Sequence, residues 1–339
     1  MTKRFFPWLG KALIGGCLAF VLLCLFCLFY DNMPVHYDNP TGATEYRWEA
    51  GRFYSSGTEG FALGRTNNDG FNNLRDYTRG QTVDILFMGS SHIQGFNVAQ
   101  RENAAAVLNE LFDGEKYVYN IGTAGHSLPY CVKHLAAALD TYRPGQYVLL
   151  ETMTLDLSPD AMRGAVDGTL APIPSHSGGI TGLLQRLPAL RLLYNKYFKG
   201  AGSFGGGEAS AESAASDAPP REAEAYAQAM EALLQKIGRE SALRGVTPVL
   251  VLNPGTVIAA DGSLQTDTVP SQLALVRRLC AENGVCFVDM TDAYLRCYNE
   301  QHLLPSGFSN TAPARGHLNR IGHRLVAEAL YAFIAEQEG

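Results

Sequence analysis

The sequence lacks three patterns that mark common classes of function. None of its seven cysteines forms a CxxC pair, and no His/Asp/Glu cluster has metal-ligand spacing, so no metal site is expected. It has neither a GxGxxG fingerprint nor a P-loop, which argues against a flavodoxin-like nucleotide-binding domain. The net charge is −6, and no basic stripe is available to neutralise nucleic-acid phosphates. No cofactor, metal or nucleic-acid partner is therefore predicted.

A long hydrophobic run is present at the N-terminus. Lys3, Arg4 and Lys11 precede an uncharged stretch from Ala12 to Tyr30. As a helix this stretch would be roughly 28 Å long, close to the bilayer core of about 30 Å. Basic residues before it, with Asp31 after it, favour an orientation with the N-terminus inside and the rest of the chain outside the cytoplasm.

Two interpretations of this run compete. A cleaved signal peptide usually has a shorter apolar region, and no small-x-small cleavage site follows Phe29. We therefore predict that residues 1–30 form an uncleaved membrane anchor, which would make this a single-pass protein of the cytoplasmic membrane.

The remainder of the chain, 46% hydrophobic and 18% charged overall, is typical of a folded protein with a sizeable core. Residues 31–80 are polar, but their aromatic side chains argue against disorder, and we expect a cap or linker of loops. Residues 81–339 form the predicted main domain. Within it, the low-complexity stretch at about 200–220 is expected to be a flexible surface insertion.

Apolar runs alternate with amphipathic stretches from Val83 onward. This alternation predicts an α/β fold, a three-layer αβα sandwich with a parallel, flavodoxin-like sheet in which 83–88 is central. The predicted strands are 83–88, 117–121, 147–151, 248–252 and 285–289. The predicted helices are about 99–112, 129–141, 222–243 and 270–283, followed by a last amphipathic helix with Asn319 as its N-cap.

Chemically suggestive residues follow several strands, where open parallel sheets bind their ligands. The first strand is followed by GSSHIQG at 89–95 and the second ends in NIGTAGH at 120–126. The third ends at Glu151, and GHLN at 316–319 opens the last helix. A serine just after the first strand, Ser91, and a histidine just before the last helix, His317, could act as nucleophile and base.

These motifs resemble blocks I, II and V of the SGNH (GDSL-like) hydrolase superfamily, over roughly residues 83–335. The resemblance implies an acyl-serine mechanism with Ser91 as nucleophile, His317 as base, and oxyanion donors at the backbone N–H groups of Ser91 and Gly125. Ser90 stands where the family usually has Asp, and the Gly-Ser-Ser form resembles that of envelope acyl-transfer members.

Two departures leave roles open. Ala314 stands where block V has its acid, and no Asn follows the third strand, so Thr152 or Thr154 is a candidate for the missing oxyanion donor. The orienting acid could be Glu151, Asp289 or Asp292. A carbonyl of the 310–315 loop, or a Ser–His dyad without an acid, are the alternatives.

The resemblance implies a serine esterase or O-acyltransferase acting on an extracytoplasmic glycan or envelope polymer. The alternative is a catalytically weak relative that binds glycan or assists assembly. The remaining histidines, His92, His126, His302 and His323, are expected to be structural or to line a pocket. Export would permit a disulfide between Cys280 and Cys286.

Overall fold

The computed structural model describes residues 2–173, 187, 189–190, 192 and 220–339, so the predicted insertion at about 200–220 lies outside the described residues except at its last position. The strands are β1 (His36–Asp38), β2 (Tyr46–Trp48), β3 (Phe53–Ser56), β4 (Ala62–Arg65), β5 (Ile85–Met88), β6 (Val118–Asn120), β7 (Tyr147–Thr152), β8 (Thr247–Leu252), β9 (Thr256–Ile258), β10 (Leu264–Thr266) and β11 (Cys286–Asp289). The helices are α1 (Thr2–Tyr30), α2 (Ser91–Gln94), α3 (Ala104–Leu111), α4 (Leu128–Tyr142), α5 (Pro159–Asp167), α6 (Pro220–Ala242), α7 (Pro270–Glu282), α8 (Thr291–Gln301) and α9 (Arg320–Glu338).

The main sheet has five parallel strands in the order β11-β8-β7-β5-β6. Alternate residues of each strand enter two separate cores. Leu86 and Leu150 pack with α4, α5, α6 and α7 on one face, whereas Phe87 and Leu149 pack with α3, α8 and α9 on the other. Strands buried on both faces explain the continuous apolar runs in the sequence. The three-layer α/β sandwich that the SGNH resemblance implies is therefore confirmed.

The order of the strands corrects one detail. The middle strand is β7, whereas β5 lies between β7 and β6 and is internal but not central. Both strands are wholly buried, and a buried run looks the same at either internal position. The predicted helix at 99–112 is also interrupted: a 3₁₀ turn spans Gln100–Glu102, and Asn103 then caps α3 by accepting the N–H of Ala106.

Several short elements were not among those predicted. The helices α2, α5 and α8 and the hairpin β9–β10 are additional to the sequence prediction. Residues 31–80 contain two antiparallel hairpins, β1–β2 and β3–β4, as well as loops. Cys280 and Cys286 are both free thiols, so the suggested disulfide between them is not formed.

The segment 31–80 packs on the carboxyl edge of the main sheet. Tyr54 is fully buried and its hydroxyl lies 3.1 Å from Asn72 Oδ1. Asn72 in turn donates to the carbonyl of Gln94 behind β5, and Asn73 donates to the carbonyl of Asn120 at the end of β6. Buried amides of this kind must be satisfied, and here they tie the segment to the two strand ends that carry the site.

The N-terminal helix stands apart from the two cores. Its segment Trp8–Tyr30 is long and apolar enough to cross a membrane, with a mean hydropathy of 2.8. Side chains such as Leu13, Ile14 and Leu18 are exposed, whereas Cys27 is buried where the end of α1 meets the rest of the protein. Among the described residues, hydrogen bonds join the end of the helix to the folded domain at Leu28 and Asn32.

Truncation in the middle strand tests this account of the core. Leu149 is completely buried in β7, so Leu149→Ala should lower the free energy of unfolding by about 2–5 kcal/mol through lost burial and a cavity. Leu243, which is 73% exposed, is the matched control, and Leu243→Ala should change the same quantity by no more than about 0.5 kcal/mol. Denaturant unfolding of the detergent-solubilised chain measures both. Equal losses would contradict the assignment of β7 to the centre of the sheet.

Candidate active site

Ser91 opens the short helix α2, directly after β5. Ser90 is the N-cap, and its side chain accepts the N–H of His92 at 3.1 Å. The serine at position 90 therefore performs the capping role open to an aspartate. Because Ser91 is the first residue of the helix, its own N–H has no intrahelical acceptor.

A buried carboxylate holds this turn in place. Glu151, fully buried at the end of β7, accepts the backbone N–H of Ser90 at 2.8 Å. A Cβ at position 89 would lie 2.7 Å from Glu151 Oε2, so the glycine there allows the carboxylate to approach. Asn253 and Tyr294 extend the network, since the Tyr294 hydroxyl lies 3.1 Å from Asn253 Oδ1. Glu151 therefore positions the turn that carries Ser91.

His317 reaches Ser91 from the loop before α9. The loop is fixed by the N–H of Gly307, which donates to the carbonyl of His317, and by Asn319, which caps α9 as the sequence predicts. His317 Nε2 lies 2.8 Å from Ser91 Oγ. The two residues singled out in the sequence are thus brought into hydrogen-bond contact.

Glu59 occupies the other side of the imidazole. Its Oε2 lies 2.5 Å from His317 Nδ1, and its Oε1 accepts the backbone N–H of His317 at 2.8 Å. Gly316 makes this two-point contact feasible, because its φ is +84° and a Cβ there would collide with Glu59 Oε1. The result is a continuous Glu59–His317–Ser91 hydrogen-bonded chain.

The loop that carries Glu59 is fixed by two asparagines. Asn310, from the loop that also carries His317, donates from Nδ2 to the carbonyls of Gly57 and Gly60 and accepts the N–H of Gly60 on Oδ1. Asn97 donates to the carbonyl of Glu59 at 3.1 Å. The backbone of the loop that carries Glu59 is therefore fixed, and it holds the carboxylate against His317.

The protonation of Glu59 follows from its surroundings. Partial burial raises the pKa of this carboxyl, but the hydrogen bonds from His317 and the charge of its ring outweigh burial, so the net pKa lies below the ordinary value of 4.5. Glu59 is therefore ionised at neutral pH and accepts a hydrogen bond from the protonated Nδ1 of His317.

The carboxylate that contacts His317 is Glu59, and the three acids that the sequence suggested as orienting acids have other partners or positions. Glu151 is engaged with Ser90, and Asp289 pairs with Arg277 and accepts the N–H of Thr291. Asp292 lies exposed in the first turn of α8. All three lie in or next to the predicted sheet, which is why they were considered. Glu59 lies in the segment before it, where no periodicity marks a functional residue, and the missing acid at 314 was the one hint that a substitute was needed.

The predicted oxyanion donors lie around the same edge. The N–H of Thr123 donates to the carbonyl of Gly89 at 2.9 Å, which joins the turn carrying Gly125 to the turn carrying Ser91. The Thr152 hydroxyl donates to the carbonyl of Thr154, so its proton is already used. The Thr154 hydroxyl accepts the N–H of Asp156, a bond that does not use its own proton. Of the two threonines, Thr154 is the better candidate donor.

Neutral histidines surround the site. The rings of His92 and His317 lie 5.2 Å apart, and burial together with the charges of His317 and His323 holds the pKa of His92 well below its ordinary value. Burial, with a smaller contribution from His317, lowers the pKa of His323 to about 3. His126, next to Gly125, has its pKa lowered to about 3 by burial and by the charges of His134 and Lys133. Of these neighbours, His323 Nδ1 accepts the N–H of Ala104.

No group of three or more His, Cys, Asp or Glu side chains is placed to hold a metal ion among the residues that the structure describes.

The chain matches no family model and no curated protein. Solved structures similar to it include an α/β hydrolase from the metagenome of Lake Arreo, Spain, at 15% identity, covering 76% of this chain and 95% of that chain, with a TM-score of 0.39. An acetyl xylan esterase matches at 15% identity over 74% and 98% of the two chains, with a TM-score of 0.39.

A member of the lipolytic protein G-D-S-L family from Veillonella parvula matches at 13% identity, over 74% of this chain and 97% of that chain, with a TM-score of 0.38. Structural similarity with TM-scores below 0.4 gives no information about the chemistry of this chain. Any function has to follow from the geometry of the site itself.

Buried neutral histidines make stability depend on pH. The folded-state pKa of His323 lies below its ordinary 6.5, so the unfolded chain binds more protons below that pH and stability falls as pH drops toward about 3. His323→Asn, which keeps an acceptor for Ala104, should flatten this decline in Tm between pH 7 and 4. The exposed His302→Asn is the control and should leave the decline unchanged. A decline of the same slope in all three proteins would contradict the assignment.

Proposed function

We propose that this protein is a serine esterase or O-acyltransferase of the SGNH type that works through an acyl-serine intermediate. The observation that supports it is the Glu59–His317–Ser91 chain, with 2.5 Å between Glu59 and His317 and 2.8 Å between His317 and Ser91. These distances lie in or just below the range that proton transfer needs. Base and orienting acid thus flank a serine at the carboxyl edge of a parallel sheet.

The chemistry begins at the serine hydroxyl. His317 Nε2 takes the Ser91 proton as Oγ attacks the carbonyl carbon of an ester. The oxyanion is met by the N–H groups of Ser91 and Gly125, with the Thr154 hydroxyl as third donor. The intermediate collapses as His317 returns the proton to the leaving alcohol, which leaves the acyl group on Ser91. Water, or an acceptor hydroxyl, then gives its proton to His317 as it attacks the acyl carbonyl, and His317 passes that proton to Ser91 Oγ as the bond between Oγ and the acyl group breaks.

Glu59 acts on the tautomer and the orientation of His317. Its ionised carboxylate accepts a hydrogen bond from Nδ1–H, which leaves Nε2 free to act as base toward Ser91. The second oxygen binds the backbone N–H of the same residue, so rotation of the ring and displacement of the loop are both opposed. The carboxylate also stabilises the imidazolium that forms during the reaction.

The setting of the site favours an envelope substrate. The apolar helix Trp8–Tyr30 is proposed as a membrane anchor, with the preceding basic residues inside and the domain outside the cytoplasm. The ester would then be carried by an extracytoplasmic glycan or related polymer, the substrate class that the Gly-Ser-Ser resemblance suggests. Hydrolysis and transfer share the acyl-serine and differ only in the acceptor.

The binding-protein alternative rested on a missing acid and a missing oxyanion asparagine. Glu59 supplies a carboxylate at His317, and the bond that the Thr154 hydroxyl accepts does not use its own proton. The enzymatic function is therefore the better supported of the two.

Removal of the nucleophile or the base tests the reaction. Ser91→Ala and His317→Ala should each abolish turnover of a soluble acyl ester by the full chain in detergent, with little change in Tm. Because the two residues act as a unit, the double variant should be little slower than either single variant. Covalent labelling of wild-type protein by a serine-reactive probe, and its loss in Ser91→Ala, is the matching chemical readout. Full turnover by Ser91→Ala would refute the proposal.

The identity of the orienting acid is tested separately. Glu59→Gln keeps the shape of the side chain but presents an amide to Nδ1, and it should lower kcat by up to about 10⁴-fold. Asp292→Asn removes one charge of the same sign from an exposed site and should leave kcat unchanged. Steady-state kinetics on the same soluble ester compares them. A wild-type kcat for Glu59→Gln would indicate a Ser–His dyad.

A further inference from the structure

The hairpin β3–β4 has two unlike faces. Residues paired across the strands share a face, and so do residues two apart. Tyr54 and its partner Gly64 face the domain, where the Tyr54 ring packs on Phe96. The opposite face carries Phe53, Ser55 and Leu63, together with the exposed Arg65 at the end of β4.

The end of the apolar helix α1 lies on this opposite face. Ser55 Oγ donates to the carbonyl of Leu28 at 3.0 Å, and the backbones of Asn32 and Ser55 form a two-way bridge. A Cβ at position 57 would lie 2.5 Å from the carbonyl oxygen of Tyr30, so the helix terminus also touches the hairpin loop. The face is fixed beside the last turn of α1.

The same face exposes large apolar side chains around the point of docking. Phe53 is 45% exposed, Leu63 is 41% exposed, and Phe61, which precedes β4, is 64% exposed. Exposed apolar residues are ordinary when they are scattered. Here they lie on a single short hairpin, next to a helix whose own apolar side chains are uncovered, and that continuity points to one common covering medium.

The length of the helix sets the depth of the hairpin. The segment Trp8–Tyr30 spans 23 residues, or roughly 34 Å as a helix, slightly more than the bilayer core of about 30 Å. Tyr30 is therefore placed at the interfacial level, where tyrosine is favoured. The hairpin that contacts Leu28, Tyr30 and Asn32 lies at that level as well.

We propose that the face formed by Phe53, Phe61 and Leu63 is a membrane-contact surface that rests on the lipid bilayer holding α1. This rests on the anchor in the proposed function and deepens it. The loop of the same hairpin carries Glu59, only two residues beyond Gly57, which touches Tyr30. The surface therefore holds the catalytic site at the bilayer, and the ester it takes is one presented at the membrane surface.

Tryptophan quenching by brominated lipid tests the contact. The full chain is reconstituted in phosphatidylcholine vesicles whose acyl chains carry bromine near the headgroup or carry none. Phe61→Trp and Leu63→Trp are made separately in a Trp8→Phe background, and the emission of the parent, which retains Trp48, is subtracted. The added emission should be lower in brominated vesicles for both variants. Leu243→Trp, at an exposed leucine after α6, is the control and should emit equally in both vesicles.

Trp8 in the otherwise native chain separates two kinds of failure. If Trp8 is quenched but both hairpin tryptophans emit equally in the two vesicles, the anchor is embedded and the membrane-contact surface is wrong; a blue-shifted but unquenched emission would indicate that protein covers it. If Trp8 is not quenched, the anchor and this inference both fall. Neither result touches the esterase chemistry, which the Ser91→Ala comparison on a soluble ester decides alone.

Discussion

The contact between the Glu59 carboxylate and His317 is the constraint on which the arrangement of the site depends. It joins residues 258 positions apart, one on a hairpin after the N-terminal helix and one before the last helix. Both oxygens are used, one on the ring and one on the backbone. Gly316 must lack a side chain for the carboxylate to fit, and Asn310 must bind the loop that presents it. The candidate site is therefore built from residues of both the domain and the segment before it.

A second constraint is the cost of burying polar groups at the carboxyl edge of the sheet. Four polar side chains are buried there: Glu151, Asn72, Asn73 and Asn120. Each forms a hydrogen bond with the backbone at the end of β6 or in the turns after β5 and β6. Leaving one of these buried polar groups without a hydrogen-bond partner would lower the stability by about 1–3 kcal/mol. These bonds fix the backbone of the turn that carries Ser91 before any substrate arrives, which is the preorganisation that the proposed acyl transfer would require.

The histidines divide by burial into two chemical roles. His92 and His323 are buried beside His317, and burial lowers the pKa of both; of the histidines in the described part of the chain, His317 is the one that lies between a carboxylate and a serine hydroxyl. Neutral neighbours would add no competing positive charge to the imidazolium that the proposed mechanism forms. The expectation that the other histidines are structural or line a pocket agrees with the positions of His92, His126 and His323.

Local sequence patterns by themselves predicted the strands and the last helix with its Asn319 cap, because buried parallel strands and helix caps leave patterns within a few positions. The pair Ser91 and His317 was singled out by the resemblance of its motifs to those of a known superfamily. Only the tertiary structure decided that β7 is the middle strand, that Glu151 supports a turn, and that Glu59 faces His317. Strand order and the choice among carboxylates depend on contacts between segments far apart in the chain, and a lone Glu in a glycine-flanked loop has no local pattern. The physical reason is that the periodicity of apolar residues reflects which side chains are buried. The pairing of Glu59 with His317 depends instead on contact between loops that are far apart in the chain.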